Sequence, residues 1–205
     1  NPDTEVEDLV WMIGCVQDEV ETPISIDSAN PAAIAAGLKT VKKTPIINSV
    51  TAEKDRMERV FPLAAESGAM LVALCLGDGG MPQGLDDRLR AAETIVKAAA
   101  AASIPVDRLI FDPLVVPIST DAAEVRAAIE AVRQIMQRYP GTHTTCGLSN
   151  ISFGLPCRNV LNRTFLAMLV EAGLDGAILD PTETHMMATV LAAEALVGRD
   201  EYCMN

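Results

Sequence analysis

Short apolar runs that each end in Asp or Asn, with a helix-like segment after almost every one, constrain this chain more than any other feature. ISID closes on Asp27, PIIN on Asn48, LIFD on Asp112, CGLSN on Asn150 and AILD on Asp180. A parallel strand covered on both faces reads as a continuous apolar run, and a helix must return the chain to begin the next. Polar residues repeated at the carboxyl ends of such strands gather at one rim. In a β/α barrel that rim handles substrate.

The pattern predicts six strands, near 24–27, 45–50, 69–76, 109–114, 143–149 and 176–180. Helices are predicted near 31–42, 55–67, 86–102, 121–138, 160–172 and 184–197. An amphipathic helix precedes them, because Val6, Leu9, Val10, Ile13, Val16 and Val20 recur at helical spacing. Gly68, Gly141 and Gly173 stand where helix C-caps are expected, and Pro31 where a first-turn proline belongs. The expected class is α/β, a TIM (β/α)8 barrel. Closure takes eight strands, so the first two strands and one helix are expected to be missing from this chain. An open six-stranded sheet with helices on both faces is the rival architecture; its rim residues would line a crevice.

Composition narrows the function. The net charge of −12 disfavours nucleic acid and anionic membranes as partners. No apolar stretch approaches the roughly 20 residues of a membrane span. Five cysteines, widely spaced and without a CxxC, suit a reducing cytoplasm better than a disulfide framework.

Each rim residue has a structural reading beside the functional one. Asp27 or Asn30 could cap the helix after them. Ser49 or Thr51 could cap the next and leave Asn48 free. Asp112 precedes Pro113, so an Asx turn competes with a binding role. Asp180-Pro181 repeats that pattern, with Thr182 or Thr184 as the expected cap. The segment 146–168 is the richest: a strand runs into Ser149-Asn150, then a loop with Gly154 and Pro156, then Arg158 ahead of a helix. Arg158 suits either a salt bridge or an anionic ligand. Arg163 lies within the helix and is expected to pack or pair at the surface.

Absences matter as well. His143 and His185 are isolated, and His143 opens a strand on the side away from the rim. The sequence contains no Walker loop, GxGxxG or GxSxG. GDGGMPQG at 77–84 lacks the ending of a phosphate loop and reads as a rim loop. Covalent and metal catalysis both find weak support. What remains is a set of two amides and two or three carboxylates, suited to a flat heterocycle rich in donors and acceptors. Pterins have such edges.

At these residues the chain resembles a known family. IDSANPAAIAAGL followed by PIINSV resembles the motif pair of pterin-binding barrels, dihydropteroate synthases included. DRMERVFPLAAESGA, FDPLVVP, GLSNISFGLPCRNVLNRTFLAM and GLDGAILDP resemble the methyltetrahydrofolate:corrinoid methyltransferases specifically. The similarity runs along essentially the whole chain. It implies a single pterin-binding barrel domain over 1–205, beginning near the end of the second strand. Carried over by motif, Asp27, Asn48 and Asp112 bind the pterin, with Ser149 beside them. Asn150 contacts the methyl-bearing ring nitrogen as the catalytic residue, and Arg158 is the loop arginine. Asn1 is offered as the Asn that ends the second strand. The family's rim residues on the first two strands are not in this chain.

The resemblance implies methyl transfer between methyltetrahydrofolate and the cobalt of a corrinoid (cobalamin) supplied by a partner protein. No D-x-H-x-x-G pattern for a resident corrinoid occurs here. Ala-rich helices such as 91–102 would suit a homodimer. Three alternatives stand beside this reading. A dihydropteroate synthase would carry a Lys and a Ser-x-x-x-Arg where this chain has GLSNISFG. A metal-dependent barrel enzyme would use Asp27, Asp112 and Asp180. An inactive pterin-binding fragment would bind without transfer.

Overall fold

The computed structural model describes residues 4–203; the Asn1 assignment therefore lies outside the described residues. Helix α1 (Glu5–Glu19) opens it, and α/β repeats follow: β1 (Ser25–Asp27), α2 (Pro31–Leu38), β2 (Ile46–Val50), α3 (Lys54–Ser67), β3 (Met70–Leu74) and α4 (Gly84–Ala101). Then come β4 (Leu109–Asp112), α5 (Ala122–Arg138), β5 (His143–Thr144), α6 (Arg158–Ala172) and α7 (Thr184–Leu196). All five strands are parallel and lie in sequential order, β1-β2-β3-β4-β5. That order is an arc of a β/α barrel. A doubly wound sheet would reverse direction at a switch point, and this one does not.

Alternation along the strands sorts their side chains into two layers. Ile26, Ile47, Leu71, Leu109 and Phe111 are fully or almost fully buried. They face the helices: a Cβ on Gly37 of α2 would meet Ile13 and Ile26, and Phe111 stacks on Tyr139, the cap of α5, at 6.4 Å between rings. The residues between them face the other way, toward the lumen. A second apolar cluster, with Val132, Leu148, Ile151, Leu166 and Leu169, fixes the β5 end of the arc.

Two predicted strands are shorter than expected. The 143–149 run forms a ladder only at His143–Thr144, and the chain then curls into a 3-10 turn, Leu148–Ser152. The predicted 176–180 strand reduces to one parallel bridge, Gly147 to Ile178. The cause is local. The Asp175 carboxylate takes the Thr144 N–H at 2.6 Å and His143 Nδ1 at 2.7 Å, replacing a backbone partner at the start of the ladder. Gly176 N–H still reaches Thr144 O, and Ile178 N–H reaches Cys146 O, each at 2.9 Å. Ile178 is 56% exposed, so little burial energy extends the strand. His143 is structural, at the end of its strand remote from the rim.

Helix boundaries follow expectation within a few residues except α2, which stops at Leu38 as Thr40 Oγ1 donates back to Ala36 O at 3.2 Å. Gly68 and Gly173 cap α3 and α6 in left-handed conformations; Gly141 follows the α5 cap, Tyr139, by two residues. Thr182 and Thr184 do not cap α7. Glu183 occupies that position without a side-chain bond, and Asp180 instead accepts from Thr182 N–H and Oγ1.

The segment after β4 is held by a buried cation. Leu114 adopts a left-handed φ of 61°, unfavourable for a branched side chain. Arg88, with no exposed surface, donates to Pro113 O at 2.7 Å, Leu114 O at 3.1 Å and the Glu124 carboxylate at 2.6 Å. It also donates to Gly84 O at 2.8 Å, so removing it takes a donor from four acceptors. Arg88→Ala is expected to lower unfolding free energy by about 3–5 kcal/mol in urea titration, and a loss below about 1 kcal/mol would show that the strap after β4 holds without it.

Candidate active site

Register places the rim residues. Asp27 and Asn48 are direct partners across β1 and β2, so they share the lumen face. Asn48 is level with Val72, and Val72 with Ile110. Asp112 is level with Leu74, two residues further along the same face. Neighbouring strands lie about 4.8 Å apart, so Asp27 and Asn48 are adjacent on this inner face, with Asp112 two strands further round. Asp27 and Asn48 make no side-chain hydrogen bond among the described residues. Asn30 takes the capping role after β1, its Oδ1 accepting from Ala32 N–H at 3.0 Å; neither Ser49 nor Thr51 caps α3, since Glu53 holds that position without a capping side-chain bond and Thr51 Oγ1 donates to the Glu53 carboxylate at 2.8 Å.

The loop after β1 and the end of β2 are stitched together by Arg56. Its guanidinium donates to Ser28 O at 3.0 Å, Ala29 O at 2.5 Å and Ser49 O at 2.6 Å. Glu5 of α1 adds a brace, accepting from the Ser28 hydroxyl at 2.6 Å and the Asn30 amide at 3.1 Å. Neither brace is signalled by composition, since a charged residue in a helix's first turn usually stays solvated.

Asp112 differs from the other carboxylates. It is buried, and its Oδ1 accepts from Leu114 N–H at 2.8 Å, which is the Asx turn before Pro113. The Gly147 N–H also points near enough to it to favour the charged form. Burial pushes its carboxyl up to about 6, against the pull of those two backbone donors. The Asx-turn and lumen-facing readings therefore both hold.

Asn150 sits on the 3-10 turn and not at a strand end. Leu148 and Ile151, three apart, are buried and anchor the turn, so Ser149 and Asn150 face outward. Gly147 N–H joins this turn to Asp112. Arg158 opens α6 and makes no salt bridge among the described residues; its Nη2 donates to Ser149 O at 2.9 Å and its Nε to Ser152 Oγ at 3.0 Å. It is thus a strut beneath Asn150 with further N–H groups left over. Arg163 pairs with Glu183 at 3.6 Å. Asp180, engaged by Thr182, stands apart from the others, and no group of three His, Cys, Asp or Glu among the described residues could hold a metal ion. Loop 77–83 wraps a pocket of about 360 Å³ beside Cys75, Asp87 and Arg90 on the same rim.

The lumen face thus carries an amide and carboxylates at strand ends, with a second amide on an adjoining turn. Comparison with known proteins identifies the family. Residues 1–180 match the model of the pterin binding enzyme family. The chain is 36% identical over 207 residues to a methylcorrinoid:tetrahydrofolate methyltransferase of Eubacterium limosum, covering 98% of this chain and 75% of that protein. It is 36% identical over 190 residues to the methionine synthase of Mycobacterium tuberculosis, which covers 87% of this chain but only 16% of that protein. Among solved structures, a 7,8-dihydropteroate synthase from Vibrio fischeri superposes with a TM-score of 0.74 at 17% identity, over 98% of this chain and 77% of that one. That likeness speaks to fold alone. The chain belongs to the pterin-binding enzyme family, on its methyltetrahydrofolate:corrinoid methyltransferase branch.

The raised Asp112 carboxyl has a measurable sign. A folded-state value above the usual 3.8 means a contribution to stability fully present below about pH 4 and lost as pH rises through about 6. Compared with Asp112→Asn, the wild type is expected to lose about 2.4 kcal/mol of relative stability between pH 4 and pH 7. Urea midpoints for both proteins across that range test it, and parallel curves would exclude a strained carboxylate.

Proposed function

We propose that this protein transfers a methyl group between tetrahydrofolate and the cobalt of a corrinoid, with the corrinoid presented by a separate protein over the open rim. The observation that supports it best is one lumen face bearing Asp27, Asn48 and buried Asp112, with Asn150 on a braced turn beside them. The pterin edge offers ring N–H and amino donors, which suit carboxylate acceptors, while Asn48 both donates and accepts. Asp112, short of donors in its buried site, gains most from a ligand that supplies them. Arg158, already bound to the turn, has spare N–H groups for an acceptor on the folate.

The chemistry sets the role of Asn150. When the methyl group leaves nitrogen, the bonding pair returns to nitrogen, which must end with a proton; cobalt supplies the pair for the new bond. A neutral amide at the reacting nitrogen can accept from the protonated form, or pass a proton through water, and tighten as charge shifts in the transition state. Ser149 adds a hydroxyl to the same turn. No described helix is long and apolar enough to cross a membrane, and all five cysteines are free. Both facts favour a cytoplasmic enzyme. The Ala98 and Ala101 face of α4, which with Phe61 lines a groove of about 570 Å³, is the surface we assign to a homodimer.

Asn150→Ala is expected to slow methyl transfer to cob(I)alamin about a hundredfold with folding unchanged, measured on the protein's complete native chain. Asp27→Ala should instead weaken methyltetrahydrofolate binding about tenfold or more, the order of one hydrogen bond to a charged group, by calorimetric titration. An Asn150→Ala enzyme as fast as wild type would refute the assignment.

A further inference from the structure

Hydrogen bonds and one close contact converge on the turn that bears Asn150, and two of the residues that supply them, Gly147 and Ser152, have no ligand contact in the reading above. The Ser149–Asn150 peptide is held at both polar atoms. Its carbonyl accepts from Arg158 Nη2 at 2.9 Å, and its N–H donates to Gly147 O at 3.2 Å. The Asn150 carbonyl is taken as well, by Phe153 N–H at 3.2 Å. Beneath the turn lies Ser152, with no exposed surface. Its hydroxyl accepts from Arg158 Nε at 3.0 Å and donates to Asn162 Oδ1 at 2.7 Å. The Asn150 amide itself makes no hydrogen bond among the described residues.

Gly147 closes the arrangement from the other side. A Cβ built there would stand 3.1 Å from Asn150 Nδ2, closer than ordinary contact, so a methyl group there would push the amide aside by a few tenths of an ångström. The Gly147 N–H reaches the Asp112 carboxylate. Backbone conformation does not demand glycine here, since φ is −73°, within reach of any residue. The requirement is space for the Asn150 side chain.

We propose that Gly147 and Ser152 are positioning residues: together they fix the direction of the Asn150 amide before substrate arrives, Gly147 by leaving room above the turn and Ser152 by pinning it from below. The inference rests on the methyltransferase reading, in which Asn150 faces the reacting nitrogen. Preorganisation of this kind acts on the transition state, because a group held in place needs no reordering as charge develops. Loosening it should therefore reduce kcat while ground-state binding, set by Asp27, Asn48 and Asp112, changes little.

The test is a double-mutant cycle on the complete native chain, with methyltetrahydrofolate and cob(I)alamin. Gly147→Ala and Ser152→Ala are each expected to lower kcat about tenfold or more, with methyltetrahydrofolate Kd within about threefold of wild type. Placed in an Asn150→Ala background, each should cause almost no further loss, because the group it orients is gone. A purely structural role predicts the same loss in both backgrounds, and that result would overturn the proposal. So would wild-type kcat in Gly147→Ala, which serves alone if the buried Ser152→Ala protein does not fold. Should Asn150→Ala itself turn over at the wild-type rate, the functional reading fails and this inference with it. Should Asn150→Ala be slow while both single variants remain fast, only the positioning inference falls.

Discussion

The two-residue alternation of parallel strands is the constraint on which everything else depends. Each strand has one face against helices and one toward the lumen, and a slip of one residue would exchange them. Ile26 and Ile47 are buried against the helix layer, which turns Asp27 and Asn48 inward without any further specification. Phe111, buried and stacked on Tyr139, does the same for Asp112. Apolar packing on one side of the sheet thereby sets the direction of polar chemistry on the other. Substituting the helix-facing residues would disturb the site from a distance even though none of them touches it.

Register alone does not fix the loops, and there the protein relies on side-chain-to-backbone bonds. Arg56 gathers carbonyls after β1 and at the end of β2, Arg88 those after β4, and Arg158 the one before Asn150. Guanidinium suits this task because its donors diverge in a plane and reach several carbonyls together. Each of these arginines comes from a helix early in its course, where the helix abuts the rim. The shared logic is that an irregular segment near substrate must satisfy its carbonyls without using water that the substrate would displace.

The apolar runs and their terminal polar residues made the alternation, the barrel class and the lumen positions of Asp27, Asn48 and Asp112 legible. Burial on both faces leaves a strong pattern, and the family resemblance named the ligand. The end of the arc was less legible. CGLSN reads as a strand terminus, yet Gly147 and the Leu148/Ile151 pair bend it into a 3-10 turn; the spacing of three that anchors the turn is too short to stand out beside a strand signal. The 176–180 run lost its ladder to the Asp175 carboxylate, a side-chain competition that no periodicity reveals. Asp180 looked equivalent to Asp112 in sequence, since both precede proline. They part because one lies under packed apolar neighbours and the other in solvent with Thr182.

That contrast explains how a set of chemically similar groups divides its labour. A solvated carboxylate such as Asp27 exchanges water for ligand donors with modest net gain, since both partners lose hydration. Asp112 has already lost its water, and two backbone donors compensate only in part, so its carboxyl stays near 6. On the proposed reading, a ligand donor arriving there would meet an acceptor with little hydration left to surrender, and Asp112 would be the firmer side of the grip. Asn150 lies across Gly147 from this anchor. An ionisable group there would respond to the nearby Asp112 charge, and its proton affinity would drift as the anchor filled. An amide has no such dependence. Its neutral dipole, aimed by the turn beneath it, keeps the same hydrogen-bonding capacity whether or not Asp112 is ionised, so binding and methyl release can be tuned by neighbouring residues without either upsetting the other.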